Sequence, residues 1–191
     1  MPDKIVIIGA GGVGREVAAT LSHTAFSHFE IAGFIDDATP ADTLINTIPV
    51  LGSLNRLIER EMAFNVVIAI GNPKIREQIA TRLSAFNFTF PSIIHPNVSI
   101  HNNTTVAIGQ GCYFADGCVL TTDIAVEDFC FINTSCSLQH DTVVGAYSVL
   151  MPGVRVTGGA KIGAGSYIAA NCAITTACTI EKNSVIKNSI Y

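Results

Sequence analysis

A histidine and a carboxylate stand side by side, His140-Asp141, in the run LQHDTVVG. A neutral imidazole can take a proton near neutral pH, and an adjacent carboxylate can orient it and stabilise its protonated form. Two blander readings compete with a general base: a metal site, or two polar residues on a solvated turn. Which applies depends on where His140 points.

A second group is glycine-rich. Gly9, Gly11 and Gly14 form G-x-G-x-x-G directly after the strand-like KIVII, and Asp36-Asp37 close the next strand, EIAGFID. This is the dinucleotide fingerprint in its usual setting, with glycines for a tight turn and a helix N-terminus facing an anion. The motif alone fits an NAD-dependent oxidoreductase. Against that, only one βαβαβ half fits before residue 90, which leaves no second half for a nicotinamide. A nucleotide diphosphate suits the loop better, and a packing turn without a ligand is the alternative.

The elements that must position these groups fall into two patterns. Up to about residue 90, strand-like and helix-like segments alternate: KIVII, GAGGVGREVAATL, EIAGFID, SLNRLIER and VVIAIG, then PKIREQIATRL capped by Asn72-Pro73. That alternation predicts a small parallel sheet with helices. Beyond about residue 96 no helical period survives. Every sixth residue from Ile108 to Ile186 is instead large and apolar, through Phe114, Leu120, Val126, Ile132, Leu138 and Val144 onwards. Fourteen such positions in one register arise by chance with a probability on the order of 10⁻⁴ or below.

Four residues after each comes a mostly small residue, and this set holds all six cysteines: Cys112, Cys118, Cys130, Cys136, Cys172 and Cys178. No C-x-x-C occurs, so they read as small wall residues rather than ligands or bridges. A six-residue repeat of this kind predicts a parallel β-helix in which three hexads close one coil and residues 18 apart stack. The coil is expected to begin near His95, because Pro96 and Asn102 break the pattern. His140 lies two residues past Leu138, outside both inward phases. Large apolar residues at outward positions (Tyr113, Phe129, Phe131, Val143, Val149, Met151 and Tyr167) suggest a partner surface and a cyclic homo-oligomer.

Composition narrows the partners. A net charge of −4 argues against nucleic acid or an anionic membrane as the main partner, and a 49% apolar content marks a well-buried globular chain. The first apolar run reaches glycine too soon for a signal-peptide core, and no later run is long enough to span a bilayer, so the cytoplasm is expected.

Together, GAGGVG, FIDD, VVIAIGN, HPNVSI, NTSCSLQHDTVVG and MPGVRVTGGAKIG resemble the NeuD/PglD-like sugar acetyltransferases, hexapeptide-repeat acyltransferases, over nearly the whole chain. The resemblance implies a Rossmann-like α/β domain over residues 1–92 and a left-handed parallel β-helix over 93–191. It implies a homotrimer and an acetyl-CoA groove between neighbouring coils. His140 would be the general base with Asp141 as its partner. Gly158, one coil on from His140, would supply an oxyanion donor, and Asn133 would lie near the acceptor. Gly9, Gly11, Gly12, Val13, Asp36, Asp37, Ile70 and Gly71 would hold a nucleotide-linked amino sugar. The expected reaction is N-acetylation of that sugar by acetyl-CoA without a metal. The alternatives are O-acetylation of a sialic acid or related sugar, and a β-helix that binds nucleotide sugars without turnover. A β-helical carbonic anhydrase is a metal-dependent rival, but it needs two histidines close in sequence around the site, and His140 has no such neighbour. The chain departs from the family at Val13 and Val149, where relatives often carry histidine. Many relatives also continue into a G-x-P-A-K tail where this sequence ends at Ile190-Tyr191, so the donor pocket is expected to be less complete.

Overall fold

The computed structural model describes residues 2–59 and 64–190. The chain divides into two compact units, Met1–Gly71 with Gln78–Pro91, and Asn72–Glu77 with Ser92–Tyr191.

In the first unit β1 (Asp3–Ile8) leads into α1 (Gly12–Leu21), β2 (Phe29–Ile35), β3 (Leu44–Ile45), β4 (Ile48–Gly52), α2 (Leu54–Glu59) and β5 (Asn65–Ile68). The sheet runs β3-β4-β2-β1-β5, parallel except for β3. Ile5, Val6 and Ile7 in β1 are fully buried, as a central parallel strand covered on both faces requires. The predicted strands and helices therefore form, although Arg60 of the predicted second helix lies outside the described residues. The β3–β4 hairpin is an addition that periodicity did not reveal. It turns at Asn46 and Thr47, both at positive φ as a two-residue type I′ hairpin demands. Its strands are too short, and Pro49 too disruptive, to leave a period-2 signal.

The second unit is a parallel β-helix of two- and three-residue strands in three sheets of six, five and five strands. Pairings such as Val126↔Val144 and Leu120↔Leu138 put residues 18 apart on top of each other, as the hexads predict. The first coil is irregular. Ile93 pairs with Tyr113 and Ser99 with Val119, offsets of 20, whereas Val106 pairs with Ile124 at 18. Two extra residues therefore sit in the turn at 101–105, where the Asn102 side chain accepts from the Thr104 N–H and hydroxyl. That insertion is why the repeat fades before Ile108, although the coil already starts at Ile93. Each hexad also needs one left-handed turn residue. Every sixth position from Gly111 to Asn183 has φ between +54° and +74°, including the non-glycines Asp123, Phe129 and Asp141.

The cysteines lie inside the coil, five of them buried and all free, but they do more than fill space. Cys112, Cys118, Cys130 and Cys136 each donate through Sγ–H to a carbonyl 15 residues on, at 3.0–3.2 Å, and the Ser148 and Ser166 hydroxyls do the same. The small inward position thus supplies a donor for corner carbonyls.

The outward apolar residues correct an expectation. Tyr113, Phe129, Phe131 and Val149 are at most 5% exposed within the single chain. Tyr113 stacks on Phe131 and Phe129 on Tyr147, with centroids 4.7 and 5.6 Å apart. The first turn of α3 (Pro73–Leu83) carries Arg76, fully buried, whose Nε and Nη2 donate to the Phe129 carbonyl at 3.1 and 2.8 Å. Its guanidinium lies 5.4 Å from the Phe131 ring centre, in cation–π range. Burial pushes the Arg76 pKa down to about 10, so the group stays charged at neutral pH. These four residues therefore offer no surface to a partner. Val143, Met151 and Tyr167 remain partly accessible.

Candidate active site

His140 and Asp141 occupy the turn between the strands Ser137–Leu138 and Val143–Val144, which belong to different sheets of the coil. The hexad puts Leu138 and Thr142 inside and turns His140 outward. Its side chain is 61% exposed and that of Asp141 68%. Asp141 takes the left-handed position of its hexad, φ +61°, so it is a turn residue whose carboxylate also reaches Nδ1 of His140 at 2.8 Å. With Nδ1 engaged, Nε2 is the ring nitrogen left for chemistry.

Gly158 stacks one coil above. A Cβ built there would come within 2.5 Å of His140 Cε1 and Nε2, so the imidazole lies directly against the space a side chain would fill. The backbone also links the pair, with the Gly159 N–H donating to the His140 carbonyl at 2.8 Å. The residue before each left-handed position contributes no N–H to the ladder between coils. At 110, 134 and 146 a side-chain oxygen takes that N–H, from Asp128, Asn133 and Glu127 respectively. Among the described residues nothing takes it at Gly158. An N–H of that kind, beside a base, can stabilise developing negative charge.

Asn133 does not join this pair. It is 6% exposed and sits one corner earlier in the coil, where its amide oxygen accepts from the Thr134 N–H at 2.7 Å.

The glycine loop of the first unit separates into two kinds of glycine. A Cβ at Gly14 would collide with the Gly9 carbonyl oxygen, and one at Gly9 would lie 2.8 Å from the Ala69 carbonyl oxygen and Ile70 Cδ1. Packing alone requires these two. Gly11 and Gly12 have nothing within 4 Å of a built Cβ, and one built at Gly71 would lie 4.0 Å from Val13 Cγ2. Asp36 and Asp37 lie at the end of β2. Asp36 Oδ2 accepts from the Ala10 N–H at 2.9 Å, and Oδ1 from the Ala38 and Thr39 N–H groups at 3.0 and 2.9 Å. Burial raises the Asp36 pKa, but these donors together outweigh it and hold the carboxyl below its ordinary value. Asp37 Oδ1 accepts from the Leu54 N–H at 2.9 Å, at the start of α2. Among the described residues no cluster of three or more His, Cys, Asp or Glu side chains could hold a metal ion. Nor is any helix long and apolar enough to cross a membrane.

A Rossmann-like α/β domain followed by a left-handed hexapeptide β-helix defines the class of protein. The PglD N-terminal domain family matches residues 4–83. A GDP-perosamine N-acetyltransferase from Escherichia coli O157:H7 is 28% identical over 175 residues, which are 88% of this chain and 76% of the relative. A solved histidine-to-asparagine mutant of perosamine N-acetyltransferase from Caulobacter crescentus, in complex with CoA and GDP-perosamine, has the same fold. Its TM-score is 0.85 at 24% identity, covering 98% of this chain and 90% of that one. The acetyltransferase domain of PglB from Neisseria gonorrhoeae matches with a TM-score of 0.67 at 25% identity, over 98% and 93% of the two chains. Residues 4–83 therefore carry a PglD N-terminal domain, and nearly the whole chain is similar to sugar N-acetyltransferases of the NeuD/PglD kind.

Proposed function

We propose that the protein N-acetylates an amino sugar carried on a nucleotide diphosphate, with acetyl-CoA as donor and no metal. The residues 1–92 form the nucleotide-sugar-binding domain and 93–191 the acetyltransferase domain. His140 Nε2 takes a proton from the sugar amine as its nitrogen attacks the thioester carbonyl. The oxyanion so formed is met by the Gly158 N–H. The carbon–sulfur bond then breaks, and the departing thiolate takes the proton from the imidazolium as free CoA. Asp141 holds Nδ1 and stabilises that imidazolium. Asn133 lies on the acceptor side. Gly11, Gly12 and Val13 receive the diphosphate, with Gly9, Asp36, Asp37, Ile70 and Gly71 around them. A homotrimer supplies the second wall of the donor groove.

The observation that carries this reading is the imidazole of His140 lying against Gly158 while Asp141 engages its other nitrogen. The relatives named as GDP-perosamine and perosamine N-acetyltransferases support the amine acceptor over a hydroxyl one. Release of free CoA from acetyl-CoA, measured with a panel of nucleotide amino sugars and sialic acids, tests it. His140→Ala is expected to lower kcat by about 10²–10⁴-fold. Full turnover in that variant would remove the base from the mechanism. Turnover with sialic acids alone would favour O-acetylation, and none with any acceptor a binding protein.

A further inference from the structure

The fingerprint acid at the end of the second strand ordinarily suggests a reader of ribose hydroxyls. Here the hydrogen bonds of Asp36 point elsewhere. A carboxylate offers about four lone-pair directions. Asp36 spends one on Ala10, 26 residues away, and others on Ala38 and Thr39. The neighbouring Gly9 N–H is taken by the Ile35 carbonyl at 2.8 Å. The end of β2 thus pins the two loop peptides that precede Gly11. The first helical hydrogen bond runs from the Arg15 N–H to the Gly11 carbonyl, which leaves the Gly12, Val13 and Gly14 N–H groups as the open donors of α1.

We propose that Asp36 is a positioning residue: it fixes the glycine loop through the Ala10 N–H so that Gly11 and Gly12 face the diphosphate, and it reads no substrate hydroxyl. This deepens the proposed function and rests on its nucleotide-sugar site. Asp37 gives one carboxylate oxygen to the Leu54 N–H at the start of α2 and is exposed, so a contact to the ribose, if there is one, falls to it rather than to Asp36.

Calorimetry on the full chain tests this with GDP and UDP, and with the 2′,3′-dideoxy form of whichever binds more tightly. Whatever loss the dideoxy nucleotide shows on wild type is expected to be the same, within about threefold, on Asp36→Ala, because the Asp36 carboxylate is committed to backbone donors. Asp36→Ala is expected to weaken the parent nucleotide by about tenfold or more, and Asp36→Asn, whose amide oxygen can still accept from Ala10, to restore most of that loss. Equal affinity in wild type and Asp36→Ala would overturn the positioning role. So would a dideoxy nucleotide about tenfold weaker on wild type and no weaker than its parent on Asp36→Ala, since Asp36 would then contact the ribose. If Asp36→Ala fails to fold, the same comparison is made with Asp36→Asn, and a dideoxy loss on wild type that Asp36→Asn abolishes would overturn the proposal. Binding of neither GDP nor UDP to wild type would instead remove the nucleotide reading, a failure distinct from the first two.

Discussion

Glycine marks both the loop of the first unit and the corner of the β-helix, for opposite reasons. At Gly158 the missing side chain makes room for the protein's own histidine, whose ring already lies there. At Gly11 and Gly12 it makes room for nothing in the chain, because no atom lies within 4 Å of a built Cβ. Gly9 and Gly14 next to them are simply packed against backbone. A glycine that the fold demands says little about ligands. One that the fold leaves open is better evidence of a site, since it gives up backbone entropy for no internal contact.

Substitution by alanine can break this distinction. The largest effect is expected at Gly14, where a methyl would overlap the Gly9 carbonyl oxygen and something in α1 or the loop must move. Overpacking of this kind costs about 1–3 kcal/mol or more, so Gly14→Ala should unfold at clearly lower denaturant. A variant as stable as wild type would show that the loop can yield, and the packing reading of Gly14 would fail. Next comes Gly158→Ala. Its methyl would lie 2.5 Å from Cε1 and Nε2 of the imidazole and push the ring aside rather than the coil, because His140 is an exposed side chain held mainly by Asp141. The expected result is near wild-type stability with kcat reduced by about 10–100-fold, the scale of a misplaced catalytic group. Unchanged kcat, read by CoA release, would mean that the base does not work from the position it occupies against Gly158.

The two regions were not equally legible in the sequence. The coil was, because a sheet buried on its inner face leaves a strict record in side-chain size. Leu138, Val144 and Val156 mark the register, and the 18-residue stack places Gly158 over His140 without further information. Exceptions come from features without a period. The two-residue insertion at 101–105 shifts the first coil by an amount that apolar spacing cannot report. Tyr113, Phe129 and Phe131 read as exposed because nothing in α3 announces that Arg76 will be buried against them. In the first unit the fingerprint located the glycine loop and Asp36 but not the direction of the carboxylate. That direction follows from the Ala10 N–H, a contact across 26 residues that no local pattern encodes.

A smaller effect tests the coil side. Thr142 follows His140 and Asp141 into the interior, fully buried, at the position where cysteines and serines donate to corner carbonyls. Its hydroxyl has no partner among the described residues. Thr142→Val keeps the shape and removes the unsatisfied oxygen, so a gain of about 1 kcal/mol is expected in denaturant unfolding. Cys130→Ser, by contrast, keeps a donor to Gly145 and should be close to neutral. A loss in Thr142→Val would mean that the hydroxyl does find an acceptor inside the coil.

The smallest stability change carries the sharpest contrast. Gly12 opens α1 without a positive φ and with open space around it, so the fold has no use for its lack of a side chain. Alanine is the better helix former by about 0.5–1 kcal/mol, and Gly12→Ala should therefore be slightly more stable than wild type. The same methyl would stand where the diphosphate is proposed to approach, so KM for the nucleotide sugar should rise while KM for acetyl-CoA stays unchanged. A stabilised enzyme with weakened acceptor binding is the outcome that only an open glycine predicts. If stability falls, Gly12 belongs with Gly9 and Gly14 as a packing residue. If stability rises and acceptor KM does not move, the open space over the loop serves no ligand.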